Sequence, residues 1–237
     1  MSHILDYLAK VQVFAQGSSI PSWDRLSIDH GFTGIDEPEV IDWHHVKQVH
    51  GNALVEAGPA TCESSSEGRP AADAIFTKAA GVALGVKTAD CLPLIFWHRD
   101  AVMAVHAGWK GLTSGVVLNA LDWFITNKLD LNSLLVAIGP SISGSAFEVG
   151  SEVIQAWVDG SGALGDAERH IPISRGCGDR WYFDLGLAAI TQVSQFGVPA
   201  EAVSWLQSCT LSEPQWHSYR KSGNGAGRNW TWVRASG

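Results

Sequence analysis

The chain has 237 residues, 46% of them hydrophobic and 17% charged, with a formal net charge of −8. This composition suffices for a sizeable buried core and excludes a disordered chain. Because nucleic-acid backbones are bound by clustered Lys and Arg, the acidic balance argues against a nucleic-acid partner. The N-terminus lacks a basic stretch followed by an apolar run, and the most apolar region carries Lys87, Asp90 and Arg99. We therefore expect no signal peptide, no membrane association and a cytoplasmic location.

Short runs rich in Val, Ile, Leu and Trp predict buried strands. In chain order they are NALVEA (52–57), GVALGVK (81–87), CLPLIFW (91–97), AVMAVHA (101–107), SLLVAIG (133–139) and AVSWLQ (202–207). Helices are predicted between them, over 114–128, after a capping Ser151 and after a capping Asp184. Polar stretches predict loops at 62–73, 160–170 and 220–230. Since some strands follow one another directly and others flank helices, we expect a mixed sheet covered by helices.

The four cysteines are widely separated along the chain and include no Cys-x-x-Cys pair. They are Cys62, Cys91, Cys177 and Cys209. This spacing excludes the usual zinc ribbon and the thioredoxin motif. A disulfide framework is not expected in a chain this long and apolar, so we infer a reducing compartment.

Two strands around residues 98–100 predict a hairpin that carries Cys91 on one arm and His106 on the other. A two-residue turn at 99–100 places Cys91 opposite Gly108, and a turn at 98–99 places it opposite His106. In both registers Cys91 and His106 point to the same face, because side chains alternate with a period of two. A three-residue loop would break this relation.

A cysteine and a histidine on one face are compatible with three interpretations. They can bind Zn²⁺ or copper, or the histidine can activate the thiol as a nucleophile. In the third interpretation Cys91 is a small buried apolar residue and His106 a hydrogen-bonded core residue, which is the commoner case for two such residues. His50, just before a predicted strand, is a candidate third member, and spacing does not distinguish it from the other candidates His44, His45, His98 and His170.

Seven motifs in order along the chain resemble those of the bacterial YfiH-type laccase-domain family, also called the polyphenol oxidase or purine nucleoside phosphorylase family. They are KQVHG (47–51), ADAIFT (72–77), GVALGVKTADCLPLIF (81–96), AVHAGWKG (104–111), AIGPSISGSAFEVG (137–150), CT (209–210) and SYRK…GR (218–228). The resemblance extends from about His30 to the C-terminus. It implies a single domain over residues 1–237, with an α/β (α+β) fold: a three-layer α/β/α sandwich with a mixed β-sheet, CNF1/YfiH-like.

The resemblance also implies a metal site of His50, Cys91 and His106, holding Zn²⁺, with copper as the alternative. Three protein ligands leave a fourth tetrahedral position open, which is the arrangement of catalytic zinc sites. Zinc lowers the pKa of bound water to about 7 and so supplies a nucleophile near neutral pH.

The activities implied are phosphorolysis of adenosine, inosine and methylthioadenosine, together with adenosine deamination. The partners would be a purine nucleoside and phosphate, bound by a monomer or homodimer. Phosphorolysis needs cations for phosphate. Lys110, Arg220 and Arg228 are the expected phosphate contacts, and Gln48 is expected to face the substrate.

Cys91, Asp73 and Asp90 are the candidate catalytic residues. Either carboxylate can orient a ligand histidine or act as a general acid or base. The segment before KQVHG is shorter than is usual in the family and lacks its Thr-Arg-x-Gly-Gly loop. The alternatives are a copper-dependent polyphenol oxidase, an amidase with a Cys91 nucleophile acting on a cell-wall precursor, and a nucleoside sensor without turnover.

Overall fold

The computed structural model describes residues 2–35, 43–58, 61–62, 68–160 and 166–236. Its helices are α1 Ser2–Leu8, α2 Pro21–Arg25, α3 Trp109–Thr113, α4 Val116–Thr126, α5 Ser151–Gly160, α6 Asp166–Arg169, α7 Leu185–Gln195 and α8 Tyr219–Ser222. Its strands are β1 Gln12–Phe14, β2 His30–Thr33, β3 Leu54–Glu56, β4 Ala74–Thr77, β5 Ala83–Thr88, β6 Leu92–His98, β7 Ala101–Ala107, β8 Leu135–Ile138, β9 Glu148–Val149, β10 Ile173–Arg175, β11 Trp181–Phe183, β12 Val203–Leu206 and β13 Asn229–Arg234. Three-ten turns cover Leu131–Ser133, Ala200–Ala202 and Gly223–Gly225.

Seven strands form one sheet in the order β1-β12-β8-β6-β7-β4-β3. The pairs β1/β12, β12/β8 and β3/β4 are parallel, whereas β8/β6, β6/β7 and β7/β4 are antiparallel. The predicted mixed sheet is therefore confirmed. All six predicted strands are present, five of them in this sheet and β5 in a smaller one.

Side-chain alternation along β6 and β7 divides the buried core between the two faces of the large sheet. Leu94 and Met103 belong to a cluster shared with α1, α3, α4, α5 and α7. Ile95 and Ala104 belong to a second cluster that includes side chains of α2, β2, β5 and β13. One face is therefore covered by helices and the other mainly by strands.

The layer on the second face is a three-stranded antiparallel sheet in the order β2-β13-β5, accompanied by the short helix α2. The three-layer arrangement around a mixed sheet is confirmed, although this outer layer contains more strand than helix. The reason is β13, which pairs with β5 over residues 229–234 and with β2 over 230–233. Both pairings join distant parts of the chain, so local periodicity does not reveal them.

The predicted helix boundaries are close to those observed. The helix predicted over 114–128 is α4, and it is preceded by the separate short helix α3. The predicted cap of α7 is confirmed, since the Asp184 side chain accepts a hydrogen bond of 2.9 Å from the Leu187 N–H. Ser151 is the first residue of α5 rather than the residue before it, a shift within the usual uncertainty of helix ends.

The three predicted loops contain more regular structure than expected. Residues 220–230 include most of α8, a three-ten turn and the first two residues of β13. Residues 160–170 include α6, and 161–165 lie outside the described residues. Of the loop predicted at 62–73, residues 63–67 also lie outside the described residues.

Two further expectations concern the chain as a whole. All four cysteines lie among the described residues, and each is free of a disulfide. In the described parts of the chain, every helix is too short or too polar to traverse a bilayer.

Candidate metal centre

The β6–β7 hairpin brings Cys91 and His106 together in one of the two predicted registers. Leu92 pairs with Ala107 and His98 with Ala101, so the turn is the two-residue turn at 99–100. Cys91 stands immediately before β6 and extends this register toward Gly108. The prediction that Cys91 and His106 share a face of the hairpin is confirmed, and this face is the one covered by β5 and β13.

His50 reaches the same place from a segment without regular secondary structure. Its backbone lies in the left-handed region, with φ of 60°, which costs a residue with a Cβ about 1–2 kcal/mol. The carboxylate of Asp73 stabilises this turn by accepting the backbone N–H groups of Val49, His50 and Gly51 at 3.2, 2.9 and 2.7 Å. The orientation of His50 is thus fixed by a carboxylate that is 0% exposed.

Asp73 also fixes the ring of His106. Nδ1 of His106 lies 2.8 Å from Oδ1 of Asp73, an arrangement in which the ring nitrogen donates and the carboxylate accepts. This leaves Nε2 of His106 available as a ligand, the usual arrangement of metal-binding histidines. Although burial on its own would raise the pKa of Asp73, hydrogen bonds from His106 and Gly51 lower it. Asp73 therefore serves as the orienting carboxylate that the sequence predicted for one of the two aspartates.

The ligating atoms of His50, Cys91 and His106 lie within 4.8 Å of one another. The two imidazole rings are 4.9 Å apart between centroids and nearly perpendicular, at 81°. A Cβ on Gly108 would lie 3.0 Å from Cys91 Sγ and 3.2 Å from His50 Cδ2, so the glycine keeps the space beside these atoms clear. One thiolate and two imidazoles form a donor set that zinc accepts readily, and the three residues fit a metal ion.

The electrostatics of the group favour an ionised thiol beside a protonated imidazole, so a metal ion bound at Nε2 of His106 would displace a proton there. Burial would raise the pKa of the Cys91 thiol, but hydrogen bonds from His106 and His50 outweigh it and lower the pKa to about 6. Burial would lower the pKa of His106, but its bonds to Asp73 and Cys91 raise it to about 9. Cys91 is therefore a thiolate near neutral pH, which is the form that binds metals and attacks electrophiles.

All three residues line one cavity of about 780 Å³, a size typical of small-molecule sites. Aromatic side chains of Trp109, Phe147 and Tyr219 contribute to its walls. The guanidinium carbon of Arg220 lies 5.4 Å from the centroid of the Phe147 ring. The cavity therefore offers flat apolar surfaces near the Cys-His-His group.

The remaining predicted site residues occupy different positions relative to this cavity. Gln48, Asp90, Arg220 and Arg228 line it, whereas Lys110 is exposed on α3 and is not among its lining residues. Lys110 Nζ lies 5.6 Å from the centroid of the neighbouring Trp109 ring. The structure thus separates Lys110 from the cavity that contains the other predicted anion contacts.

Gln48 and Asp90 both bind other parts of the protein. The Gln48 amide donates to the Lys87 carbonyl at 2.7 Å and accepts the Lys87 N–H at 2.9 Å. Asp90, with φ of 87°, accepts the Thr210 hydroxyl and the Arg220 backbone N–H, both at 2.6 Å. Asp90, which directly precedes Cys91, therefore binds the C-terminal part of the chain. Of the two aspartates, Asp73 is the one that orients a histidine.

Arg69, Lys87 and His45 also line the cavity. Sequence reasoning named His45 as one of several histidines and did not single out Arg69 or Lys87. Lys87 lies within the motif at 81–96 and Arg69 in a predicted loop, and neither stretch by itself relates them to the cavity. Their proximity depends on the segment before His50, which pairs with both β5 and Ala71.

The unfolding free energy should depend on His45 at mildly acidic pH. Burial lowers the pKa of His45, and the charges of Arg69 and Lys87 lower it further, to about 4. Because the unfolded chain binds the proton near pH 6.5, the stability contributed by neutral His45 is present above that pH and is lost as the pH falls toward 4. After allowance for its partial exposure, we expect a loss of about 1 kcal/mol between pH 7 and 5. Urea unfolding of wild type and His45→Gln checks this, since equal pH slopes in the two proteins would contradict it.

These features define an α/β protein whose Cys-His-His group opens onto a cavity, and comparison with known proteins agrees with this class. Residues 34–236 match the family described as "Multi-copper polyphenol oxidoreductase laccase". The crystal structure of the hypothetical protein YfiH of Bacillus licheniformis superposes with a TM-score of 0.76 at 21% identity, covering 83% of this chain and 75% of that one. The chain belongs to the YfiH-type laccase-domain family, as the motifs predicted.

Three relatives carry names that bear on function. The chain is 37% identical over 178 residues to purine nucleoside phosphorylase PA4543 of Pseudomonas aeruginosa, covering 74% of this chain and 67% of that protein. It is 31% identical over 225 residues to purine nucleoside phosphorylase YfiH of Escherichia coli, covering 86% and 84%. It is 30% identical over 164 residues to adenosine deaminase RL5 of an unknown prokaryotic organism, covering 68% and 61%.

Proposed function

We propose that the protein is a zinc-dependent enzyme of purine nucleosides that performs phosphorolysis of adenosine, inosine and methylthioadenosine and also deaminates adenosine. The observation that carries this proposal is the Cys-His-His group, which opens onto a nucleoside-sized cavity. Support comes from the relatives named purine nucleoside phosphorylase and adenosine deaminase. The four free cysteines fit a reducing, cytoplasmic setting.

His50, Cys91 and His106 would hold the zinc, and Asp73 would keep both histidines in their binding orientation. Bound zinc supplies a Lewis acid that stabilises negative charge and lowers the pKa of water. The aromatic wall that includes Phe147 and Tyr219 offers stacking surfaces for a purine. These residues thus bind and orient a nucleoside beside the metal-binding group.

In phosphorolysis a phosphate oxygen forms a bond to C1′ of the ribose while the bond from C1′ to the purine nitrogen breaks. The proton of hydrogen phosphate ends on the departing base, so adenosine and inosine give a purine and ribose 1-phosphate. Methylthioadenosine gives adenine and the 1-phosphate of its methylthioribose. The basic side chains that line the cavity would hold the phosphate and stabilise the charge that develops in the transition state. Adenosine deamination instead uses water and releases ammonia.

Product analysis tests the proposal directly. Zinc-loaded protein should convert inosine to hypoxanthine when phosphate is added, and should leave inosine unchanged without it. Adenosine should give adenine with phosphate and inosine without it, as measured by liquid chromatography. The E. coli relative serves as the positive control. Absence of every purine product from zinc-loaded protein, while the relative turns over in the same assay, would refute the proposal.

A cysteine hydrolase is the second candidate, because Cys91, His106 and Asp73 form a thiol–imidazole–carboxylate series. His106 bonds to Asp73 at 2.8 Å, and its hydrogen bond to Cys91 helps to lower the thiol pKa to about 6. Such a series activates a cysteine nucleophile when no metal occupies it. Zinc should protect Cys91 from iodoacetamide if the metal-dependent function is correct. A covalent acyl adduct on Cys91 after incubation with an amide substrate would favour the hydrolase instead.

A multicopper oxidase is less well supported by the site. In the described part of the chain, one group of three ligating side chains lies close enough together to share a metal ion, whereas multicopper chemistry uses several copper ions. Metal analysis of the purified protein distinguishes the candidates. Zinc at about one equivalent supports the nucleoside enzyme, and several equivalents of copper with phenol oxidation would support the oxidase.

A further inference from the structure

The charge of the cavity differs from that of the whole protein. The chain has a net charge of −8, yet the described residues lining the cavity include four Arg or Lys side chains and a single carboxylate, that of Asp90. Both oxygens of Asp90 accept hydrogen bonds, one from the Thr210 hydroxyl and one from the Arg220 backbone. A cleft lined with positive charge concentrates anions even on an acidic protein.

Two of the four cations sit in exposed positions and donate to backbone carbonyls. Arg220 Nη2 donates to the Glu148 carbonyl at 3.3 Å. Arg228 Nη1 donates to the carbonyls of Ala226 and Gly227 at 2.8 and 2.9 Å. The other two, Arg69 and Lys87, are half-buried, and charges with less solvent around them attract an anion more strongly.

Lys87 lies on a wall of fixed geometry. The Gln48 amide holds both of its backbone polar groups, and its Nζ lies 3.7 Å from the centroid of the Trp230 ring. Trp230 in turn stacks against Trp43, with ring centroids 4.1 Å apart. The position of the ammonium is therefore set before any ligand arrives, which reduces the entropy lost on binding.

His45 lies on the same wall, with its ring centroid 5.7 Å from that of Trp230. Its Nε2 is buried and makes no hydrogen bond to the described part of the protein. Because buried polar atoms are nearly always paired, an unpaired nitrogen in a cavity wall points to a ligand. Arg69 and Lys87 line the same cavity as His45, and their charges help to lower its pKa.

We propose that His45, Arg69 and Lys87 form a phosphate-binding subsite in the cavity wall beside the Cys-His-His group. Arginine matches phosphate oxygens in a bidentate manner and lysine adds a compact charge. Nδ1 of neutral His45 faces the Trp43 carbonyl, so its Nε2 would accept a hydrogen bond from the O–H of a protonated phosphate oxygen. The phosphate group is either free orthophosphate or the phosphoryl group of a nucleotide. That orthophosphate is a reactant rests on the proposed function. Whether it binds at this subsite is a separate question, because binding can be measured without turnover.

Isothermal titration of the zinc-loaded full chain with orthophosphate and, separately, with inosine 5′-monophosphate tests the subsite. Lys87→Met and Arg69→Met should each weaken binding of one of these ligands by roughly 10- to 100-fold, while zinc content and inosine affinity stay unchanged. Lys87→Arg should retain most of the affinity, which separates loss of charge from loss of structure. The matched control is Lys10→Met, which removes an exposed lysine paired with Glu201 outside the cavity lining.

Each outcome is decisive. Weaker orthophosphate binding identifies the free anion as the ligand, and weaker binding of the monophosphate with unchanged orthophosphate binding identifies a nucleotide. Wild-type affinity for both ligands in Lys87→Met and Arg69→Met would overturn the subsite, as would a wild-type protein that binds neither. Loss of phosphate binding in the variants, without purine release by the wild type, would refute the proposed phosphorolysis and keep the subsite. Turnover with an unchanged KM for phosphate in both variants would refute the subsite and keep the function.

Discussion

Replacing Cys91 with serine should remove tightly bound zinc and lower turnover of inosine by more than about 100-fold. Removal of a group that merely supports a metal ligand costs 10- to 100-fold in affinity or activity, so loss of a ligand itself should cost at least as much. The serine hydroxyl stays protonated where the Cys91 thiol, with its pKa lowered to about 6, is ionised. Zinc content after dialysis against a chelator and the rate of hypoxanthine release measure the two effects.

Cys177→Ser is the matched control, because Cys177 is exposed and free and does not line the cavity. It should retain both zinc and activity at wild-type levels. One equivalent of zinc with full activity in Cys91→Ser would exclude Cys91 as a ligand. Full zinc content without activity would instead point to a nucleophilic role for the thiol.

Asp73→Asn should have the second largest effect, since one carboxylate serves three backbone N–H groups and the His106 ring. The asparagine amide has one acceptor oxygen, so its NH₂ group must face at least one of these donors. Each donor left unpaired should lower the unfolding free energy by about 1–3 kcal/mol. Zinc affinity should fall by roughly 10- to 100-fold, because both histidines lose the group that orients them.

A loss of stability by itself would not establish a positioning role. The distinguishing measurement is the pKa of His106 from nitrogen-15 NMR spectra of the metal-free protein, which Asp73 helps to raise to about 9 and which should fall in Asp73→Asn at a temperature where both proteins are folded. Asp100→Asn removes an exposed carboxylate at the hairpin turn and should change neither this pKa nor zinc affinity. An unchanged His106 pKa with unchanged zinc affinity in Asp73→Asn would contradict the assigned role.

The pair formed by Cys91 and His106 could be predicted from the sequence, because it depends on local geometry. The other members of the site depend on contacts between distant parts of the chain. Side-chain parity in a two-residue hairpin identified Cys91 and His106 as neighbours, because that geometry depends on the short loop between two adjacent strands. His50 lies in an irregular segment with a left-handed backbone, where no periodicity applies, so it came from the family resemblance. Which aspartate orients a histidine also depends on tertiary contacts, and both carboxylates stayed candidates until the structure separated them.

Lys110 shows that two consecutive residues of a short helix can differ in whether they face the cavity. It directly follows Trp109, which lines the cavity, but successive residues of a helix point about 100° apart. Proximity along the motif therefore did not imply proximity to the site. Arg69 and Lys87 show the reverse case, in which residues distant in sequence line one cavity because the segment that carries His45 pairs with both β5 and Ala71.

The hydrogen bonds between Asp90 and the C-terminal segment connect two parts of the site that come from different parts of the chain. The three metal-binding candidates come from residues 50–106, whereas Phe147, Tyr219 and Arg228 come from later segments that close the cavity. Substitutions in those later segments can reshape the pocket without touching a ligating atom. Asp90 joins these later segments to the part of the chain that carries Cys91, so a substitution at this one position would disturb both the shape of the pocket and the surroundings of the thiol.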